Sequence, residues 1–210
     1  GPGSSTYTYI QGASFPHTLV MLDGAPLNRI GNFSDVGAVP ARIIERIEIV
    51  KGSASAAWGP ALGGVINVIT KAPDKRTIGG ALTSTLGDRT TSDSSMELSG
   101  TVKRLGYYLS AGYLGSNGLL PGRSLYSNNT YAKLTYDLPG NGQIWATFNQ
   151  NRARRGDNYT WMPGLEFQEV ADNRSLDITL GIRRQLTEQL GVELVSFYTH
   201  RKRYSYSDWF

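Results

Sequence analysis

Residues 46–71 read RIEIVKGSASAAWGPALGGVINVITK, and the reading of this stretch decides the fold. On one side Ile43, Ile47 and Ile49 stand among charges, and on the other residues 65–69 are almost continuously β-branched apart from Asn67. Branching at Cβ suits a pleated strand, so both flanks are expected to be strands. Between them residues 53–57 have room for about one helical turn, and Gly59, Gly63 and Gly64 allow the chain to turn tightly. The unit is strand, short helix or loop, strand.

The rest of the chain narrows its class. Among 210 residues there are 25 glycines and 12 tyrosines, with 18% charged and 40% hydrophobic residues. That balance is poor in helix formers and rich in the residues of turns and half-buried strands. A net charge of +4 on a chain this long reads as an ordinary solvated surface rather than a nucleic-acid footprint. The absence of cysteine excludes disulfides, thiolate catalysis and cysteine-bound zinc, and His17 and His200 are too few for a histidine metal site. No stretch approaches the roughly 20 apolar residues of a spanning helix. Gly1, Pro2, Gly3 and Ser4 read as the remnant of an expression tag, so the natural start is expected to lie elsewhere.

From Thr77 onward the pattern has a period of two. Met96, Leu98, Gly100 and Val102 alternate with Glu97, Ser99, Thr101 and Lys103; Ala132, Leu134, Tyr136 and Leu138 with Lys133, Thr135 and Asp137; Leu176, Ile178, Leu180 and Ile182 with Asp177, Thr179, Gly181 and Arg183. Successive strand side chains point to opposite faces, so each segment has one apolar and one polar face. Seven strands are expected, at about 77–87, 92–103, 105–115, 127–138, 142–152, 174–185 and 190–203. Residues 103–105, 139–142 and 187–189 read as short turns, and 116–126 and 153–173 as long loops rich in Gly, Asn, Pro, Tyr and Trp. Short turns at one end and long loops at the other mark a transmembrane β-barrel, with Tyr107, Tyr113, Tyr131, Tyr136 and Tyr204 as candidates for its aromatic girdle. A soluble β-sandwich alternates in the same way, so a soluble or surface binding or adhesion protein without transport stands as the alternative.

Other motifs carry little. Residues 59–64 match G-x-x-x-x-G, but Val65 and Ile66 stand where a P-loop needs Lys and Ser or Thr. The basic runs NRARRGD (151–157) and HRKR (200–203) sit at strand ends, where lipopolysaccharide phosphate or solvent is the expected neighbour and nucleic acid is not. No nucleophile lies beside a base and no paired carboxylates sit in a recognisable setting, so no enzyme is expected and no cofactor is implied.

Residues 18–27, TLVMLDGAPL, then 44–52, IERIEIVKG, then SASAAWGPALGGVINVITK closely resemble the second half of the plug domain of TonB-dependent outer-membrane receptors. In that family a strand ends in D-G-x-P, followed by I-E-R-I-E-V-V-R-G-P, a small-residue turn with A-L-Y-G, and G-G-V-I-N-I-I-T-K before the first barrel strand. The resemblance implies a mainly β chain: a partial plug domain of mixed α/β structure over residues 5–72, then antiparallel strands of a truncated transmembrane β-barrel over 73–210. A plug inside a lumen needs backbone close to a wall, which gives Gly52, Gly59, Gly63 and Gly64 a purpose. Two departures weaken the family's plug anchoring: Gln11 and Lys51 stand where arginines are usual, and lysine lacks the bidentate fork.

The function implied is capture and active import of a scarce solute, such as an iron–siderophore complex, cobalamin or haem, across the outer membrane of a Gram-negative bacterium. The implied partners are TonB, outer-membrane lipid and lipopolysaccharide, and a small solute such as a metal chelate. Asn32 and Phe33, at the expected plug apex, and Tyr126, Tyr159 and Trp161, in the expected long loops, are the ligand-contact candidates; Lys51 is the candidate plug–barrel contact. By the same resemblance the chain is expected to be a fragment, ending within an extracellular loop. Seven strands cannot close around a plug, so self-association through the sheet edges is expected.

Overall fold

The computed structural model describes residues 8–10, 12–13, 17–27, 39–52, 61, 63–120, 122–162 and 165–209, apart from the side chains of 157–167 and 208–209. The chain divides into two compact units, Ser5–Ala72 and Pro73–Phe210.

In the first unit the quoted stretch forms β3 (Ile44–Lys51) and β4 (Gly64–Thr70), with β1 (Thr18–Leu22) and β2 (Ala25–Pro26) upstream and a 3-10 turn at Ala41–Ile43. The sheet order is β2-β1-β4-β3. β1 runs parallel to β4, and β3 antiparallel to it with Lys51 opposite Gly64. Asp23 and Gly24 join β1 to β2 with φ of 47° and 84°, the left-handed pair of a type I′ two-residue hairpin. The Asp23 carboxylate then accepts the Thr70 N–H at 2.9 Å and the Thr70 hydroxyl at 2.6 Å, fastening this turn to the end of β4.

The small core lies on the central strands, where Val20, Val65 and Val68 are buried. Full burial of each such side chain stabilises by about 1.5–3 kcal/mol. Ile47 and Ile49 of β3 are 50% and 54% exposed, and β3 reaches the core through Val50, which packs against Met21, Ala61 and Val65. Gly64 has φ of 133°, and a Cβ there would strike the Val50 carbonyl oxygen, so its smallness serves the β3–β4 pairing within the unit. The helical turn expected at 53–57, and Gly59, lie outside the described residues.

The second unit is one antiparallel sheet of seven strands joined in sequence: β5 (Gly79–Gly87), β6 (Thr91–Val102), β7 (Leu105–Ser116), β8 (Leu125–Leu138), β9 (Gly142–Met162), β10 (Leu165–Gln185) and β11 (Gly191–Trp209). Register locks the alternation across all seven. One row runs Gly80, Leu98, Leu109, Ala132, Phe148, Ile178, Tyr198; the row beside it runs Ala81, Glu97, Ser110, Tyr131, Asn149, Asp177, Thr199. The polarity is inverted relative to a water-soluble sheet. Leu109, Phe148, Ile178 and Tyr198 are exposed, whereas Ser110, Asn149, Asp177 and Thr179 are buried. Among the described residues β5 and β11 each have a single strand neighbour.

Three expectations need correction. Residues 153–173 are not a long loop: β9 and β10 stay paired to Met162 and Leu165, with one register shift at Glu169/Val170. The length at that end of the β9–β10 hairpin is therefore in ladder, and residues 205–209 are likewise strand rather than loop. Tyr131 does not join an aromatic girdle. Its register opposite Ser110 turns it to the polar face, where it is buried with its ring centroid 6.0 Å from that of Tyr108.

Candidate functional site

The polar face carries the arrangement with the most chemistry. Asn149 on β9 and Asp177 on β10 are directly opposed, and Arg201 on β11 reaches back along the same face. Asn149 Nδ2 donates to Asp177 Oδ2 at 3.1 Å, and Arg201 donates through Nη2 to Asp177 Oδ1 at 2.7 Å. The side chains of the ion pair are 10% and 11% exposed, so this is a buried pair whose charges are held by each other and by an amide. On the same face Ser127 donates to Asn151 Oδ1 at 3.1 Å, and the Tyr108 hydroxyl to Glu97 Oε2 at 2.7 Å. Such a wall offers hydrogen-bonding groups in fixed positions. No group of acidic or histidine side chains suited to a metal ion occurs among the described residues.

At the end of the sheet where β7 passes to β8, the Tyr126 hydroxyl donates to Asn117 Oδ1 at 2.9 Å, and Asn117 Nδ2 to Thr90 at 3.2 Å. Asn117 thus ties the β7–β8 loop to the β5–β6 turn and Tyr126 holds Asn117, while the register of Tyr126 opposite Arg154 puts its ring on the apolar-face side of the sheet. Tyr159 and Trp161 take their places in the β9–β10 ladder opposite Gln168 and Glu166, and their side chains lie outside the described residues. Asn32, Phe33 and Gln11 also lie outside them. Lys51 closes β3 with its side chain exposed. Of the five ligand-contact candidates, only Tyr126 has a described side chain.

Sequence reasoning missed the Asn149–Asp177–Arg201 group and a second charged group on the opposite face. There Asp172 accepts from Arg174 Nη2 at 3.1 Å and from Arg152 Nη2 at 3.2 Å. The Arg174 hydrogen bond, then Arg152, hold the Asp172 carboxyl below the usual carboxylate range against the opposing effect of burial. Strand parity places Asn149, Asp177 and Arg201 on the polar face and Arg152, Asp172 and Arg174 on the other, and only the registers bring each group together.

Residues 1–65 match the family model of the TonB-dependent receptor plug domain. The chain also superposes on solved structures. For the copper transporter OprC the TM-score is 0.74 at 13% identity, covering 94% of this chain and 32% of that one. For the ferric-catecholate import receptor Fiu from E. coli K12, in its open form, it is 0.73 at 14%, covering 93% and 33%. For the siderophore receptor PiuA from Acinetobacter baumannii it is 0.73 at 16%, covering 100% and 32%. The chain spans about a third of the length of these structures. The match to the plug family is confined to the first 65 residues, and the likeness to the solved structures is one of fold.

Proposed function

We propose that this chain supplies plug and barrel-wall strands, over residues 5–72 and 73–210, to a receptor that captures a scarce solute and imports it with energy passed through TonB. The observation that carries the reading is the inverted polarity of the seven-stranded sheet in a chain whose other unit matches the plug family. Apolar side chains facing outward match hydrocarbon, and a hydrogen-bonding face matches a wet lumen. A soluble adhesin would bury the row Leu109, Phe148, Ile178 and would have no use for a plug.

The solute class that best fits is a metal chelate. The matched structures are a copper transporter, a ferric-catecholate receptor and a siderophore receptor. Asn32 and Phe33 would meet the solute at the plug apex, and Tyr159 and Trp161 from the β9–β10 ribbon; aromatic rings stack well on flat chelates. Tyr126 would contribute by fixing the loop ends. Lys51 would contact the wall. The mechanism is gated passage without covalent chemistry.

The test is uptake of radiolabelled ferric catecholate by cells carrying the whole receptor, with and without TonB. Accumulation is expected only with TonB. Equal accumulation in both strains, or binding with no energised entry of any metal chelate, would overturn the reading.

A further inference from the structure

Pro73 opens the second unit, and residues 73–77 belong to no strand, yet both faces of the sheet hold them. On the polar face Ser99 Oγ accepts the Asp74 N–H at 2.8 Å, and the Thr101 hydroxyl donates to the Asp74 carbonyl at 2.7 Å. Pro73 lies over Gly106, the partner of Thr101 in register, where an added Cβ would come within 2.9 Å of the proline ring. On the apolar face Tyr107 stands opposite Gly100, and its hydroxyl donates to the Thr77 carbonyl at 2.9 Å. A Cβ at Gly100 would strike that same carbonyl oxygen. Between these two holds the Thr101 N–H donates to the Arg76 carbonyl at 2.8 Å. The segment is itself stiff, because the Asp74 carboxylate accepts the Arg76 N–H at 2.9 Å and the Arg76 guanidinium at 2.6 Å, closing a turn at residues 74–76.

We infer that residues 73–77 form a two-sided clamp that keeps movement or unfolding of Ser5–Ala72 from passing into the sheet. β5 starts just beyond, at Gly79, and among the described residues it pairs with β6 alone. A pull on the end of a strand with one neighbour peels it away one ladder bond at a time. The clamp meets that pull first. It shares the pull between side chains of β6 and β7 on opposite faces, so opening needs both faces to release. The pinning exceeds what starting a strand requires, since the β5–β6 ladder is already complete from Gly79 opposite Ser99. The purpose of the clamp rests on the import reading given above, in which energy passed through TonB acts on the plug while the wall stays.

The test uses the full chain in detergent micelles and reads two signals: trypsin cleavage after Lys75 or Arg76, whose side chains are exposed, and exchange of the Thr101 amide hydrogen. Both are expected to be slow, because each needs the clamp to open. Val20→Asp puts an unpaired charge into the buried core of the first unit and should unfold it. Cleavage after Arg42 and Lys51 should then rise, while both clamp signals stay within about twofold of the parent. In that background Ser99→Ala with Thr101→Val removes two hydrogen bonds and should speed both signals about tenfold or more. Tyr107→Phe, a milder change, should speed them about threefold. Amide exchange along β8, β9 and β10 reports whether the sheet is folded, and if the double variant loses it, Tyr107→Phe decides. Clamp signals that rise with Val20→Asp alone, or that ignore the clamp substitutions while the sheet stays protected, would overturn the inference. So would loss of the whole sheet in Val20→Asp, since unfolding would then have passed through. The readout involves no transport, so a receptor that fails the uptake test overturns the import reading and leaves the clamp to be decided by these signals.

Discussion

Replacing Asp177 by leucine removes the carboxylate that holds Arg201 at 2.7 Å and Asn149 at 3.1 Å. Both charged side chains are about nine-tenths enclosed, so the relevant scale is that of a buried pair. Breaking one such pair by deleting a partner costs about 3–5 kcal/mol, against about 0–1 kcal/mol for an exposed pair. Arg201→Leu should cost about 1 kcal/mol less than Asp177→Leu, because Asp177 keeps its hydrogen bond from Asn149. The double substitution Asp177→Leu/Arg201→Leu removes both charges and should cost less than the sum of the singles by about 2 kcal/mol or more. The assay is urea unfolding of the micelle-bound chain followed by tryptophan emission. Trp145 reports from the same face, on the strand beside Asp177. Single variants within about 0.5 kcal/mol of the parent, or strictly additive costs, would refute the claim that this face encloses its charges.

Other outcomes follow from the same geometry. A Cβ at Gly181 would enter the Trp145 indole, so Gly181→Ala should destabilise by about 1–3 kcal/mol and shift the emission, and Trp145→Ala should relieve the clash; an unchanged melting temperature counts against the packing. Before β5, the Arg76 side chain and then its backbone N–H hold the Asp74 carboxyl down at about 2. The contribution to stability is thus full above the unfolded carboxylate value near 4 and is lost as pH falls through about 2. A carboxyl titration by NMR checks this, and Arg76→Gln should return the midpoint toward the ordinary range. Among the described residues β5 and β11 each leave one edge without a strand neighbour, so the chain should need detergent or self-associate; a detergent-free monodisperse monomer with cooperative unfolding would contradict that.

The period-two pattern made the sheet legible, because register carries a single parity across all seven strands. Leu134 and Thr135, or Ile178 and Thr179, declare their faces without any coordinates. The β9–β10 extension was not legible. Its Arg, Asn and Gly content reads as loop, and it is held as ladder by cross-strand pairing, including Arg152 and Arg174 converging on Asp172, that no window of one strand displays. Tyr131 was misplaced because proximity to a strand end was weighed above parity. The buried group of Asn149, Asp177 and Arg201 joins three strands across more than 50 residues of chain, so it emerges only once their registers are fixed.

The central claim is that one face of the sheet meets hydrocarbon and the other does not. Leu134 and Thr135 are neighbours on β8 that point to opposite faces, and the sequence has no cysteine, so single spin labels at Leu134→Cys and Thr135→Cys are unambiguous. In lipid bilayers the account predicts that the label at 134 is relaxed strongly by membrane-dissolved oxygen and weakly by a water-soluble nickel chelate, with the 135 label showing the lower oxygen-to-nickel ratio. Equal ratios at the two sites, or the reverse order, would contradict it.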